Sequence, residues 1–263
     1  MKITDYYRDA ANLNLNGSMA ALIPIVLIVA GNLFFLQNQE IIVFTIPFFL
    51  YSFLCFQLYL LRKRQSISIN RKMVSREYVK NGHTLFSSRH FLVLFLNCQS
   101  PKLLFFLPDG QLAGSITKYK ANGPFKLNRY RMFHLQNEQD ETIGYFKVQG
   151  KKQIRIQVFD KAQTYLGCMV KTKDKWRESK EEFLDESGKY IGAVHGSRVF
   201  MDEKIINQSN RQVSRLRRGW MPVEWSHLFP EPNTPVLSFE GKLSDQERML
   251  RMSFLINEYF IER

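Results

Sequence analysis

The sequence predicts a two-part fold: an N-terminal transmembrane helical hairpin, then an antiparallel β-sheet curved and closed around a hydrophobic C-terminal helix. Three observations predict it. Nearly all the continuous hydrophobicity of the 263 residues lies before residue 62, and nearly all the charge lies after it. A strand, turn and strand unit then recurs, each copy carrying a glycine a few residues past its turn. The last segment opens with a helix-capping signature and is apolar around most of its circumference.

The first run, Met19 to Leu36, carries no charge. As a helix rising about 1.5 Å per residue it covers about 27 Å, close to the roughly 30 Å hydrocarbon thickness of a bilayer. Pro24 falls in the early turns of that run, where a missing backbone donor matters least. The second run, Ile41 to Leu61, has Gln57 as its one strongly polar member, and only Gln37, Asn38, Gln39 and Glu40 separate the two. A short polar link between two spanning-length runs makes an antiparallel hairpin, because each helix satisfies its own backbone donors in lipid. A cleavable signal peptide fits less well. The preceding 18 residues include Asp5 and Asp9, and no small-residue cleavage site follows. Arg62, Lys63 and Arg64 abut the second run, Arg71 and Lys72 follow, and the link has no basic residue, so both termini are expected in the cytoplasm. The expected division is a cytoplasmic segment 1–18, a hairpin 19–61, a basic linker 62–65 and a β-domain 66–263 that ends in a helix over 244–262.

After residue 64 the period changes. Ser66 to Asn70 alternates polar and apolar and reads as a strand, as do His90 to Asn97 and Lys102 to Leu107. Leu107-Pro108-Asp109-Gly110-Gln111 reads as a hairpin turn, with proline fixing φ and glycine accepting positive φ. Four hairpins of this kind follow one another, each with a glycine: Gly114, Gly144, Gly167 and Gly192. A glycine inside a strand marks a bend or a close backbone approach, which a strongly curved sheet needs. Lys152 to Val158 alternates cleanly, with one face buried and one wet. Ser244-Asp245-Gln246-Glu247 is a capping box, and Met249, Leu250, Met252, Phe254, Leu255, Ile256, Tyr259, Phe260 and Ile261 then cover most of a helix. A helix apolar nearly all round is buried, and here the curved sheet is what can bury it.

These hairpins, of the form aromatic-x-Asp-x-x-Gly-x-x-x-Gly, and the terminal helix containing Met252-Ser253-Phe254-Leu255-Ile256-Asn257 resemble the tubby C-terminal-like superfamily, which includes phospholipid scramblases and LURP-one-related proteins. The resemblance implies a twelve-stranded barrel enclosing a hydrophobic central helix. No tubby-type phosphoinositide motif and no scramblase calcium segment matches residue by residue.

Catalytic signatures are missing from the sequence. The five histidines lack metal-ligand spacing, and there is no nucleophile elbow and no phosphate-cradling glycine loop. Cys55, Cys98 and Cys168 lie far apart and make a poor disulfide or metal framework. Asp109, Asp160 and Asp185 sit at repeated turns, where they bond their own backbone. A non-enzymatic binding module without cofactor or metal is therefore expected. Of 37 basic and 24 acidic residues, only two and three precede residue 62, so the remainder holds 35 and 21, a net charge of +14. Residues 62 to 102 include Arg62, Lys63, Arg64, Arg71, Lys72, Arg76, Lys80, Arg89 and Lys102 against Glu77 alone. A second cluster is Arg211, Arg215, Arg217 and Arg218, of which Arg211, Arg215 and Arg218 share one side if the segment is helical. Arginine forks suit phosphate. Arg62, Lys63, Arg64, Arg71, Lys72, Arg211, Arg215 and Arg218 are thus the expected contacts for anionic phospholipid headgroups or an acidic protein partner. Scramblase-like lipid movement is the alternative. Nucleic acid ranks last as a partner, because no recognition motif accompanies the charge.

Overall fold

The computed structural model describes residues 1–74, 84–119, 131–150, 153–172, 180–197, 202–241 and 243–262. It divides into two compact units, Met1–Tyr78 and Val79–Arg263.

The first unit is a pair of helices, α1 (Ile3–Gly31) and α2 (Ile46–Val74). A π-helical turn, Asn32–Leu36, ends α1, and a 3-10 helix, Gln39–Thr45, leads into α2. The two asparagines close the link: Asn32 Oδ1 accepts from the Asn38 amide at 2.9 Å, and Asn38 Oδ1 accepts from that of Glu40 at 3.0 Å. The helices are antiparallel. Thr4 meets Ser66, Tyr7 meets Arg62, Gly17 meets Cys55 and Ser18 meets Ser52, the numbers rising on one helix as they fall on the other. Small residues let the backbones approach, and Ser18 Oγ and Ser52 Oγ share a hydrogen bond of 3.0 Å across the seam. Large apolar side chains, including Leu27, Leu33, Phe34, Phe44, Phe49 and Leu54, point outward and are exposed. Both helices, over 3–34 and 40–74, are long and apolar enough to cross a membrane.

Three expectations change here. Residues 62–65 and 66–70, read as a linker and a strand, belong to α2, which runs unbroken to Val74. In that helix Ile69 and Met73, four apart, are buried while Ile67 is exposed. The spacing that decides is therefore helical, and the Ser/Ile alternation is incidental. Pro24 lies deep inside α1, because the helix begins at Ile3 rather than at Met19.

The second unit is a closed antiparallel barrel of twelve strands in sequential order: β1 (His90–Leu96), β2 (Lys102–Phe106), β3 (Leu112–Lys118), β4 (Arg131–Asn137), β5 (Thr142–Gln149), β6 (Gln153–Asp160), β7 (Tyr165–Thr172), β8 (Lys180–Leu184), β9 (Tyr190–Ser197), β10 (Asp202–Asn207), β11 (Gln212–Arg217) and β12 (Val236–Phe239). The circle closes where β12 pairs with β1, as in Leu237 opposite Phe91. A helix, α3 (Asp245–Met252), follows, with the predicted capping box in place: Ser244 Oγ accepts from the Glu247 amide at 3.2 Å, and Glu247 accepts from the Ser244 amide at 2.9 Å. The helical path continues through α4 (Phe254–Ile256) and a π-helical turn, Asn257–Ile261. Every residue from Arg248 to Asn257 is buried. Its side chains reach opposite walls: Arg248 lies over Phe239 of β12, Met249 against Gly144 of β5, Arg251 over Phe183 of β8, and Phe260 against Phe95 of β1 and Phe133 of β4. Only a helix inside the barrel touches all of these.

The hairpin repeat has a physical basis, and among the described residues it occurs five times rather than four. The turns 107–111, 137–141, 160–164, 185–189 and 207–211 share two backbone hydrogen bonds, from the first residue's amide to the fifth residue's carbonyl and from the fourth residue's amide to the first residue's carbonyl. The fourth residue has positive φ in each: Gly110, Asp140, Gln163, Gly188 and Asn210. This is a type I turn closed by a left-handed residue and a bulge. In the later turns the leading Asn or Asp binds the backbone ahead of it, as Asn207 Oδ1 does to the amides of Ser209 and Arg211, both at 3.0 Å. The glycine seven residues after the turn's first residue sits against the next hairpin. A Cβ on Gly114, Gly144, Gly167 or Gly192 would lie 2.2–2.9 Å from the carbonyl oxygen of Gln136, Phe159, Leu184 or Ile206. The fifth copy has Ser214 at this place, and among the described residues no further hairpin of the kind follows it.

Candidate functional site

The expected basic contacts fall into two groups, which fare differently. On α2, the helical period of 3.6 brings Arg64, Ser68, Arg71 and Lys72 to one face, where with Ile67 they line a shallow groove of about 420 Å³. Lys63 turns away and donates to the Tyr59 hydroxyl at 2.9 Å. Arg62 also leaves that face, and its guanidinium carbon lies 5.6 Å from the Tyr7 ring centroid on α1. Arg76 and Lys80 lie outside the described residues.

The second cluster is not helical. Arg215 belongs to strand β11, Arg211 precedes it in the turn and Arg218 follows it. At about 3.3 Å per residue, Arg211 and Arg218 are roughly 23 Å apart along the chain. Arg215 is already engaged, its Nε and Nη2 each donating at 2.7 Å to the two oxygens of Asp202. These hydrogen bonds hold the Asp202 carboxyl below its usual pKa. Arg217, a member of the cluster that helical spacing left off the shared side, stacks its guanidinium 3.7 Å from the centroid of the Trp220 ring. Period-two parity would have grouped it with Arg215, since the two share a strand face.

Inside the barrel lies a charged cluster that the sequence reading missed. Lys171 of β7 is fully buried and pairs with Glu181 of β8 at 2.9 Å and with Glu262 at 2.5 Å. Asn257 Nδ2 donates to Glu181, Glu258 and Glu262 at 3.2, 3.1 and 3.4 Å. The three carboxylates lie within 4.8 Å of one another, a spacing a cation could use, but the Lys171 ammonium and the Asn257 amide already meet them. The signal was parity again, because Lys171 falls on the same strand face as the inward Met169. Arg251 of α3 is 3% exposed, and its Nε and Nη1 have no hydrogen-bond partner. Burial pushes its pKa down.

Among the other titrating groups, His134 lies between the hydroxyls of Thr117 and Thr142, with hydrogen bonds to both. His90 is pushed down by burial and by neighbouring Arg89, and His134 by burial alone. Tyr165 is raised to about 12, chiefly by burial and then by its hydrogen bond with Cys168. His90 and Arg89 line an open hollow of about 460 Å³ with Ser87, Ser88, Leu107, Pro108 and Asp109. As expected, Asp185 bonds its own turn, accepting from the amides of Ser187 and Lys189 at 2.9 Å.

The strand pairing defines the class as closed antiparallel barrels filled by a helix. No protein-family model matches the chain, and no curated protein matches it in sequence. Among solved structures, a protein from Arabidopsis thaliana is similar at 11% identity and a TM-score of 0.43, covering 66% of this chain and 91% of its own.

Proposed function

We propose that this protein is a non-enzymatic barrel of the tubby C-terminal-like kind, tethered by its helical hairpin to the cell membrane. Its α2 face of Arg64, Arg71 and Lys72 engages anionic phospholipid headgroups. The carrying observation is that α2 passes from its apolar stretch to this basic face as one unbroken helix.

Two further features support the tether. The antiparallel pairing brings Asp9, the last charge before the apolar stretch of α1, level to within a turn with Arg62, the first charge after that of α2. A shared boundary between charged and uncharged lengths is what a planar water–lipid interface selects. The uncharged length, 27 residues over 10–36, is about 40 Å of helix, enough for about 30 Å of hydrocarbon with tilt. The outward Leu, Phe, Ile and Val side chains have no reason to face water, and lipid accounts for them. The basic end then faces the cytoplasm, where each lysine or arginine near an anionic leaflet contributes about 1 kcal/mol.

The test uses the full chain reconstituted in vesicles with spin-labelled lipids. Spin-labelled phosphatidylserine is expected to be immobilised in preference to phosphatidylcholine, and the preference to shrink with salt and in an Arg64→Gln, Arg71→Gln, Lys72→Gln variant. Equal immobilisation of both lipids at low salt would exclude headgroup selection. An acidic protein would instead be the partner if a soluble polyglutamate bound the same face while lipid selection was absent.

A further inference from the structure

In the barrel unit, the large apolar side chains left most exposed are Trp220, at 67%, and Val223, at 82%; the next among the described residues are Tyr190 and Tyr119, at 39% and 37%. The two lie three residues apart in one loop that leaves β11 through Arg217 and Arg218. The loop is built to hold them out. Gly219 has φ +78°, a conformation that reverses the chain and returns the Trp220 ring to Arg217. Pro222 then caps the 3-10 turn Val223–Trp225, closed by a 3.1 Å hydrogen bond from the Trp225 amide to the Pro222 carbonyl. Trp225 packs against His90, centroids 6.0 Å apart, and Leu228 and Phe229 further on are fully buried. The loop is thus anchored on both sides of an outward Trp220 and Val223.

We infer that this Arg217-Arg218-Gly219-Trp220-Met221-Pro222-Val223 loop docks on an anionic bilayer surface, with Trp220 and Val223 in the interfacial layer and Arg218 on headgroup phosphate or carboxylate. Charge complementarity and side-chain chemistry select this occupant. Arg218 is exposed, with no ion pair to any described carboxylate, and Arg217 adds a second positive charge against the indole. Tryptophan is enriched at membrane–water interfaces, where an amphipathic ring meets both phases. A guanidinium beside it supplies the attraction that an anionic leaflet returns. A preformed loop lowers the ordering cost of docking. The inference rests on the bilayer reading above for the identity of the surface, and it is separable from the tether by experiment.

The full chain is reconstituted in phosphatidylcholine vesicles with and without phosphatidylserine, all containing a brominated-chain lipid that quenches nearby indoles. Wild type is expected to be quenched more than Trp220→Phe. The difference should be largest with phosphatidylserine and fall with salt, and both proteins should keep the same urea midpoint. Arg218→Gln should weaken docking about fivefold, the equivalent of about 1 kcal/mol for one basic residue near an anionic leaflet. Equal quenching of wild type and Trp220→Phe overturns the inference. So does a Trp220-dependent emission shift produced by a soluble acidic polypeptide but not by vesicles, which would assign the loop to a protein partner. Carbonate-resistant flotation of the same samples reports the helices without involving Trp220. Flotation without Trp220 quenching removes the loop and leaves the tether, and quenching without flotation does the reverse.

Discussion

The helical hairpin and the barrel are inside out with respect to each other. In the hairpin, Leu27, Phe34, Phe49 and Leu54 face outward, while the seam between the helices holds Thr4, Ser18, Ser52 and Ser66. In the barrel, Phe91, Phe105, Phe146, Phe183 and Phe254 face inward, and lysines and arginines ring the outside. Both units draw on similar apolar residues, so hydrophobic content alone separates neither. What separates them is where the polar groups end up. Along its apolar length the two-helix unit buries small groups, Ala11, Ser18, Ala21, Ser52 and Cys55, and its large buried side chains, Ile3, Tyr6, Tyr7, Ile69 and Met73, gather at the end where the charges lie. A closed sheet can enclose its large side chains and sends polar groups outward, and its exceptions are correspondingly informative.

Lys171 is the strongest exception, and breaking it gives the largest expected effect. Lys171→Met would leave Glu181, 5% exposed, without its cation inside the barrel. Loss of one partner of a buried pair costs about 3–5 kcal/mol. All three tryptophans, Trp176, Trp220 and Trp225, belong to the barrel unit, so urea unfolding of the full chain followed by tryptophan emission reports on the barrel. Adding Glu181→Gln should restore part of the loss. A single variant as stable as wild type would show that the cluster is hydrated, and the contrast between the two units would weaken.

Arg251 is an exception of the opposite sign. Its guanidinium lies over Phe183 with two donors unmet, and a buried unsatisfied donor costs about 1–3 kcal/mol. Arg251→Met keeps most of the volume and is expected to raise stability by about that amount. A clear loss would mean that the guanidinium has a partner in solution and that the barrel core is built to hold charge there.

The Asp202–Arg215 pair sits on the barrel's outer side, with side chains 30% and 23% exposed, and a smaller effect is expected. The Arg215 hydrogen bonds depress the Asp202 pKa, so the folded state binds its proton less readily than the unfolded state, where it titrates near about 4. Stability from this pair is therefore full above that value and is lost as pH falls through the depressed folded pKa. Solvent screening limits it to about 1 kcal/mol or less. Comparing wild type with Arg215→Gln at pH 6 and pH 2.5 should show a larger difference at the higher pH.

Sequence alone made the apolar runs, the capping box at Ser244 and the turn chemistry legible, because each depends on neighbours within a few residues. The twelve-strand closure came from a family resemblance, since pairing β12 with β1 joins segments about 145 residues apart. The strand reading at 66–70 failed because serine and isoleucine alternate by chance in a helix whose seam takes Ser66 and Ile69 from that stretch and Met73 beyond it. The arginine cluster failed because helical spacing was applied where the preceding Asn207 turn already called for a strand. The fifth hairpin escaped notice because Ser214 stands where the other four have glycine. Lys171 and Glu181 were legible in principle, each sharing strand parity with an inward residue, Met169 or Phe183, but a charge at an inward position becomes meaningful only once its partner is known.

The hairpin seam supplies the smallest effect and the sharpest contrast. Ser52 Oγ lies 3.0 Å from both Ser18 Oγ and the Ser18 carbonyl oxygen, so Ser52→Ala deletes a hydroxyl that serves the facing helix twice. That carbonyl is also available to its own helix, and the Ser18 hydroxyl can turn back to bond its own chain, as serines in helices do. Interhelical hydrogen bonds of this kind average about 0.6 kcal/mol. The cost of Ser52→Ala should be of that order, whereas Ser52→Leu should cost several times more by forcing the backbones apart. Both are measured by denaturing the reconstituted chain in mixed micelles, with a fluorophore pair across the two helices. If the alanine variant lost as much as the leucine variant, hydrogen bonding rather than close packing would hold the hairpin. The two units would then rely on the same kind of buried polar contact instead of opposite ones.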